Sequence, residues 1–215
     1  MSSPSTPLCS NPKPDSCTLL KSSANNLPLQ DKFVQMVVTS PPYFGLRSYD
    51  GSQNVQWSDG STCPYGNEKS VQEYVDHSIE VLREIRRVLK DDGVVFWNVG
   101  DSYYRDKRTN TDTKKAFKGP VTPKVCKHIP AKSLCLIPER VAIAAQDDGW
   151  IVRSKIIWHK PNATPESCKD RPTTSYEQII MLVKNKKYYW KVGMSLTQVG
   201  PRSSMRRWWK SIRAV

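Results

Sequence analysis

At 215 residues the chain is long enough to bury a substantial core, and one domain is the default expectation. It contains no run of about eighteen apolar residues, and its first residues lack the basic-then-apolar layout of a secretory signal, so neither a membrane span nor a leader is expected. The net charge is +13, and residues 101–215 carry 24 of the 33 basic residues but only 9 of the 20 acidic ones, an imbalance typical of proteins that bind a polyanion such as nucleic acid.

The first predicted strand leads directly into an unusual segment. A Ser- and Pro-rich start predicts a disordered tail over residues 1–21, and the apolar run 33–39 predicts a strand. That strand ends at Thr39-Ser40-Pro41-Pro42-Tyr43-Phe44. The prolines cannot continue the ladder, and they leave nearby backbone carbonyls free to accept from a ligand. Taken alone, a Ser-Pro-Pro segment is more typical of a turn that caps a buried strand.

The middle of the chain predicts a helix between a loop and a second strand. Residues 51–69 form a polar loop, and Ser70 then opens a helix, with Glu73 placed to complete a capping box. Apolar residues recur at helical spacing as far as Leu89, and Gly93 is predicted to end the helix. The apolar run 94–99 predicts a buried parallel strand that ends at Gly100-Asp101-Ser102-Tyr103-Tyr104.

The second half continues the alternation of helices and strands. Residues 105–132 form a long, lysine-rich stretch without periodicity, which is either functional or disordered. A second helix is predicted from Pro138 to Gln146, with Gly149 as its terminator. Strands follow at residues 150–158 and about 178–183, and the first of them ends at His159-Lys160-Pro161-Asn162. This order predicts an α/β fold with a mainly parallel sheet.

Three of the predicted strands therefore end in polar, aromatic or proline residues. Because the carboxyl ends of parallel strands share one edge of a sheet, the three segments are expected to converge on one cleft. Metal binding is not expected there or elsewhere. The six cysteines form no C-x-x-C pair, and Cys126 with His128 has no second ligand pair nearby, so reduced thiols are predicted.

The motifs around these strand ends resemble one enzyme family. Val38-Thr39-Ser40-Pro41-Pro42-Tyr43-Phe44-Gly45-Leu46-Arg47 is similar to the catalytic motif of the amino-group DNA methyltransferases, which methylate the exocyclic nitrogen of cytosine or adenine. Residues 89–103, 137–142, 148–162 and 165–177 resemble its later blocks, in family order. The resemblance covers roughly Leu19 to Trp190. It implies a Rossmann-like methyltransferase fold that uses S-adenosylmethionine, with DNA as partner, in the cytoplasm of a prokaryote or a phage host.

The resemblance also implies roles for residues. The target base leaves the duplex, Tyr43 and Phe44 stack on it, and the Ser40 side chain with the Pro41 carbonyl accepts hydrogen bonds from its amine, next to Pro42. Further pocket candidates are Asp101, Tyr103, Trp158, His159, Lys160 and Asn162. For all of these except Lys160, an ordinary structural role at a strand end is an equally open alternative. Serine before the two prolines is more typical of cytosine-N4 enzymes, and adenine N6 is the alternative.

Two departures from the family concern the cofactor. The family holds S-adenosylmethionine with a Gly-rich turn, whereas no two glycines of this chain lie closer than six residues apart. Relatives often have Gly-Asp where Ser22-Ser23 stands, so Ser23 and Thr39 are only weak cofactor candidates.

The chain is therefore expected to be an incomplete catalytic half over residues 22–190, followed by a basic, aromatic tail at 191–215. This tail either binds nucleic acid, with its aromatic residues stacked on bases, or is a displaced piece of the recognition region or an end left by truncation, and truncation is slightly favoured. A second polypeptide is expected to supply the cofactor-binding half. A non-catalytic DNA-binding remnant and a methyltransferase of RNA or protein are the alternatives.

Overall fold

The computed structural model describes residues 17–45, 54–104, 129–163 and 166–190. The elements within these ranges are β1 Val34–Thr39, β2 Val55–Gln56, β3 Thr62–Cys63, α1 Val71–Val88, β4 Leu89–Val99, α2 Ile137–Asp147, β5 Ile151–His159 and β6 Tyr176–Val183. Residues 1–16 of the expected tail, residues 105–128 with Cys126 and His128, and the whole segment 191–215 lie outside the described ranges. Neither helix in these ranges is long and apolar enough to cross a membrane.

The main sheet has the strand order β1-β4-β6-β5. β1 pairs parallel with β4, whereas β6 lies antiparallel between β4 and β5. The α/β class is confirmed, but the sheet is mixed, because only the β1–β4 pairing is parallel. The difference has a simple cause: the described part of the connection from β5 to β6 contains no crossover helix, and consecutive strands without one pair antiparallel.

This strand order brings four strand ends to one edge of the sheet. The carboxyl ends of β1, β4 and β5 lie beside the amino end of β6. In the register of the sheet, Thr39 is paired with Trp97, and His159 is paired with Tyr176. The three motif-bearing strand ends therefore share one edge, as the sequence predicts.

The start of α1 follows the sequence prediction. Ser70 is the N-cap, and its Oγ accepts from the Glu73 N–H at 3.1 Å. In return, Glu73 Oε2 accepts from the Lys69 N–H at 2.8 Å. Two of the free N–H groups at this end of the helix are thus satisfied by side chains.

The predicted end of α1 is wrong. The helix ends at Val88, and Gly93 lies inside β4. A Cβ on Gly93 would lie 2.6 Å from Leu89 Cγ and 2.9 Å from the Gln35 carbonyl oxygen. The glycine therefore allows β1 and β4 to approach closely where their register shifts, instead of terminating a helix. By contrast, Gly149 does follow α2, with a φ of +87°.

The two faces of the sheet differ in what covers them. Alternate strand residues point to opposite faces. On the first face, strand residues form one core cluster with α1 and α2; they include Val95, Trp97, Val99, Ile180 and Leu182. On the second face, Val94, Phe96, Ile179, Met181 and Val183 form a smaller cluster, which Trp158 and Tyr188 also contact. Asn98 and Glu177 continue this second face toward the shared edge.

The segment predicted as a polar loop contains a short hairpin instead. β2 and β3 pair antiparallel, and the Trp57 side chain that follows β2 is 3% exposed. The Trp57 ring stacks on the ring of His77 in α1, with the centroids 4.0 Å apart. The hairpin is thus part of the core, and its own sequence is too short and polar to predict this.

The cap of α1 can be tested with two substitutions. Ser70→Ala removes the acceptor for the Glu73 N–H and should lower the free energy of unfolding by about 1 kcal/mol. Ser70→Asp keeps an acceptor and adds a negative charge at the helix N-terminus, so its stability should stay close to that of the wild type. Urea unfolding followed by circular dichroism measures both. Equal losses in the two variants would contradict the capping role.

Candidate active site

The Ser-Pro-Pro-Tyr segment is fixed in place by α1 and by the loop after β3. Tyr74 Oη donates to the Pro42 carbonyl oxygen at 3.0 Å, and the Gly45 N–H donates to the Gly66 carbonyl oxygen at 2.9 Å. A Cβ on Gly66 would lie 2.9 Å from Pro42 Cβ, so the two segments are in close contact. Within this rigid segment the Ser40 side chain is exposed at the edge of the sheet.

Phe44 does not have the position expected of a base-stacking residue. Its side chain is 2% exposed, and its ring packs against Tyr74 with the centroids 5.6 Å apart. A ring buried in the core cannot stack on an incoming base in this conformation. The structure therefore gives Phe44 a packing role, which anchors the segment from inside.

The Tyr43 ring lies directly against the backbone at the end of β4. A Cβ on Gly100 would lie 2.7 Å from Tyr43 Cε2 and 2.9 Å from Tyr43 Cδ2. Any side chain at position 100 would therefore displace the ring. Gly100 is therefore needed for this close approach.

The Tyr43 hydroxyl belongs to a group of polar side chains from all four strand ends. We call this group the strand-edge cluster; its members are Ser40, Tyr43, Asn98, Lys160 and Glu177. Asn98 Nδ2 donates to Tyr43 Oη at 3.0 Å and to Glu177 Oε2 at 3.1 Å. Ser40 Oγ lies 3.4 Å from the same amide nitrogen and 3.5 Å from Tyr43 Oη. Lys160 Nζ forms an ion pair with Glu177 Oε1.

The surroundings of the strand-edge cluster shift the pKa values of Tyr43 and Glu177 in opposite directions. Burial raises the pKa of Tyr43 to about 12, and the hydrogen bond to Glu177 adds to the rise. The phenol is therefore neutral near pH 7 and can donate. Burial by itself would raise the pKa of Glu177, but the hydrogen bonds from Lys160, Asn98 and Tyr43 outweigh it and hold that pKa below its ordinary value. Glu177 is thus a carboxylate at neutral pH.

Sequence reasoning missed the roles of Asn98 and Glu177. Both lie within motifs that resemble the family, but their proximity depends on β6 lying antiparallel beside β4, which the sequence does not reveal. Asn98 Oδ1 is buried and has no hydrogen-bond partner among the described residues. A buried acceptor without a donor is costly unless a ligand supplies one. The cluster therefore contains a buried acceptor that lacks a donor, close to Ser40.

Asp101 has a structural function in this conformation. Its Oδ1 accepts from the N–H groups of Ile137 at 3.0 Å and Ser102 at 2.8 Å, and its Oδ2 accepts from the Leu136 N–H at 3.1 Å. Leu136, the N-cap of α2, provides no side-chain cap of its own. The carboxylate predicted to line the pocket therefore caps a helix from a distant strand end, and burial raises its pKa.

Tyr103 is also engaged by other parts of the fold. It forms an isolated β-bridge with Leu134, which follows the long basic stretch in the sequence. The Arg171 guanidinium lies over its ring, 3.7 Å from the centroid, and pairs with Glu166 at 2.5 Å. One face of the Tyr103 ring is thus covered by a cation.

The other candidates are distributed around the edge. Trp158 packs against the apolar cluster of the second sheet face, whereas His159 and Asn162 are exposed at and just beyond the end of β5. Lys160, just after β5, belongs to the strand-edge cluster through its ion pair with Glu177.

The two weak cofactor candidates lie in different parts of the fold. Thr39 is half-buried at the end of β1. Ser23 lies in a turn, where its Oγ donates to Asn25 Oδ1 at 2.6 Å. Asn25 in turn contacts the Gln56 carbonyl and Glu80 of α1, so this turn packs beside the hairpin.

Comparisons with known proteins show which proteins the chain is similar to. The family model for DNA methylases matches residues 34–212. The type II methyltransferase M.SmaI of Serratia marcescens is 42% identical over 168 residues, which cover 75% of this chain and 53% of that protein. M.Cfr9I of Citrobacter freundii is 41% identical over 163 residues, which cover 73% of this chain and 50% of that protein. The chain thus spans about half the length of these curated relatives.

A solved structure shows the same fold. The cytosine-N4-specific PvuII DNA methyltransferase superposes with a TM-score of 0.52 at 20% sequence identity. The superposition covers 80% of this chain and 50% of that one.

The capping role of Asp101 can be separated from contact with a ligand. Asp101→Ala leaves three backbone N–H groups without their acceptor and should lower the free energy of unfolding by about 1–2 kcal/mol, with partial recovery in Asp101→Asn. Asp147→Ala, at an exposed residue in the last turn of α2, serves as the control and should change stability by less than about 0.5 kcal/mol. Unfolding of Asp101→Ala identical to wild type would exclude the cap.

Proposed function

This chain belongs to the DNA methylase family, and on that basis we propose that it is the catalytic half of a site-specific DNA methyltransferase. The methyl donor is S-adenosylmethionine, and the acceptor is the exocyclic amino group of a base flipped out of DNA, with cytosine N4 as the first choice. The enzyme acts on DNA in a prokaryotic cytoplasm, as part of restriction-modification or DNA marking. The observation that carries the proposal is the strand-edge cluster, which gathers Ser40, Tyr43 and Asn98 at one end of the sheet.

The cluster suits the recognition of an exocyclic amine. Such an amine offers two N–H donors, and both Ser40 Oγ and the unpartnered Asn98 Oδ1 are oxygen acceptors. When these oxygens accept the two hydrogen bonds, the nitrogen lone pair stays out of conjugation with the ring and points toward the methyl donor. S-adenosylmethionine, when bound, supplies a methyl group on a positively charged sulfur. The contribution of the chain is then mainly position, because an in-line displacement depends on the alignment of its reactants.

Tyr43 supplies a surface for the base. Its ring rests on Gly100, and its hydroxyl is held by Asn98, so the side chain is ordered before any base arrives. Stacking of a base on an aromatic ring contributes about 1–3 kcal/mol. Because the Tyr43 ring is already ordered, little side-chain entropy is lost when the base stacks on it. That gain offsets part of the cost of extrusion of the base from the duplex.

The preference for cytosine rests on Ser40. Within the family that the motifs resemble, serine before the two prolines is more typical of cytosine-N4 enzymes than of adenine-N6 enzymes. Ser40 is neutral and exposed at the sheet edge. Adenine N6 is the alternative acceptor, and identification of the methylated nucleoside decides between them.

A second polypeptide carrying the cofactor-binding half has a natural place beside β1. Among the described strands, β1 pairs only with β4, so no described strand occupies its other edge. A strand added there would lie next to the segment that bears Ser40. The absence of closely spaced glycines from the sequence supports a cofactor turn supplied by another polypeptide. The basic residues of the second half of the chain would contact the DNA backbone.

Methyl transfer tests the proposal directly. The full chain is incubated with DNA and labelled S-adenosylmethionine, alone and mixed with the half of M.SmaI that it does not match. Transfer in the mixture, with N4-methylcytosine as the product identified by mass spectrometry, is the expected result. Ser40→Ala should lower kcat on the order of 100-fold. Tyr43→Ala should lower kcat/KM for the DNA substrate by about 5- to 150-fold, which corresponds to the loss of the stacking energy.

Ser154→Ala, at an exposed position in the middle of β5, is the matched control for Ser40→Ala and should retain full activity. If the product is N6-methyladenine, the acceptor base is adenine instead of cytosine, and the rest of the proposal is unchanged. No transfer by the chain alone or in the mixture, together with salt-dependent binding of DNA, would contradict catalysis and favour a non-catalytic DNA-binding remnant.

A further inference from the structure

A second cluster of reactive side chains lies under the hairpin, separate from the strand-edge cluster. Cys63 at the end of β3, Glu68 in the loop that follows, and His77 in α1 each offer one donor atom, and these atoms all lie within 4.8 Å of one another. Glu68 is 1% exposed and His77 is 2% exposed. Sulfur, carboxylate and imidazole donors together are the ligand set of zinc and similar divalent transition ions.

Glu68 has an unsatisfied oxygen. Its Oε1 accepts from the Gly66 N–H at 3.2 Å and lies 3.2 Å from His77 Nδ1. Its Oε2 is buried and has no hydrogen-bond partner in the described part of the chain. A buried carboxylate oxygen with no donor carries a desolvation cost that a bound cation would remove.

The second nitrogen of His77 faces another carboxylate. His77 Nε2 lies 3.4 Å from Asp59 Oδ2, and Asp59 Oδ1 is itself held by the Ser61 N–H at 2.8 Å. A histidine that binds a metal through one nitrogen typically donates its other ring N–H to a carboxylate, which fixes its tautomer and orientation. Stacking on Trp57 fixes the plane of the ring. His77 is therefore oriented as a metal ligand would be.

We propose that Cys63 Sγ, a carboxylate oxygen of Glu68 and Nδ1 of His77 bind one divalent transition ion, with Zn²⁺ as the best match. On binding, the Cys63 thiol releases its proton to solvent, and the thiolate with the Glu68 carboxylate balances the charge of the ion. Ligands of a tetrahedral zinc ion lie roughly 3–4 Å apart, so small side-chain rotations close the cluster around it. Cys63 is only half-buried, so a water molecule can reach the fourth position.

The ion would stabilise the segment that carries the proposed chemistry without taking part in it. It joins the hairpin and the following loop to α1. The same loop holds Gly66, whose carbonyl accepts from the Gly45 N–H and where an added Cβ would lie 2.9 Å from Pro42 Cβ. The loop that contains Glu68 thus connects the proposed metal site to the Ser-Pro-Pro-Tyr segment. The sequence analysis expects no metal, and these three residues lie at least five positions apart in the sequence and form no paired ligand motif.

Cobalt(II) provides the test, because it occupies zinc sites and reports thiolate ligation by absorption. The purified full chain, freed of metal with a chelator, is titrated with Co²⁺ and then with Zn²⁺. The expected result is thiolate-to-cobalt charge-transfer absorption that saturates at about one equivalent and disappears on addition of zinc. Zinc should also raise the midpoint of thermal unfolding of the wild-type chain.

Two cysteine variants form the matched pair. Cys63→Ser, at a half-buried position that tolerates a hydroxyl, should abolish the charge-transfer band and the zinc-dependent thermal shift, while circular dichroism shows that the fold is kept. Cys17→Ser, at an exposed cysteine near the chain start, should change neither. Glu68→Gln should weaken zinc binding by tenfold or more, about the effect of loss of one ligand contact.

The proposal is overturned if the wild-type chain shows no charge-transfer band, or if Cys63→Ser retains it. Absence of a zinc-dependent thermal shift in the wild type also overturns it, even if Cys63→Ser fails to fold. These outcomes do not depend on methyl transfer, so the metal site and the proposed function can fail separately.

Discussion

The contact between the Tyr43 ring and Gly100 is the constraint on which the rest of the candidate site depends. The ring can lie at the end of β4 only because position 100 has no side chain. From there its hydroxyl reaches Asn98, and through Asn98 it joins Glu177 and Lys160. Residues from four strand ends are therefore organised around one aromatic ring. A larger residue at position 100 would separate the Ser-Pro-Pro-Tyr segment from its polar partners.

The scaffold behind this contact explains why the segment is rigid. Phe44 packs in the core on Tyr74, and Tyr74 Oη holds the Pro42 carbonyl from α1. The loop around Gly66 closes on the same segment from the side of the hairpin. The segment is thus held from two sides before any ligand binds, and such preorganisation suits a reaction whose rate depends on alignment more than on acid–base chemistry.

Local chemistry was readable from the sequence, whereas long-range pairing was not. The capping box of Ser70, the glycine after α2 and the convergence of three strand ends all follow from short-range patterns. The mixed pairing of β6, the burial of the hairpin around Trp57, and the engagement of Asp101 by α2 depend on residues far apart in the chain. The same limitation hid Asn98 and Glu177, which are adjacent only because β6 runs antiparallel to β4. Motif resemblance selected the Ser-Pro-Pro-Tyr segment as the candidate site, and the fold identified the side chains that contact it.

The ionisation of Tyr43 tests the central claim most directly, since a phenol buried against Gly100 and bonded to Glu177 must resist deprotonation. Nuclear magnetic resonance of the full chain with ¹³Cζ-labelled tyrosine follows each phenol through a pH titration, and Tyr43→Phe assigns the Tyr43 signal. The account requires a signal that stays neutral through the ordinary midpoint of pH 10 and titrates toward about 12, at lower pH in Glu177→Gln. A midpoint near 10 in the wild type would show that Tyr43 is free in solvent and would contradict the account.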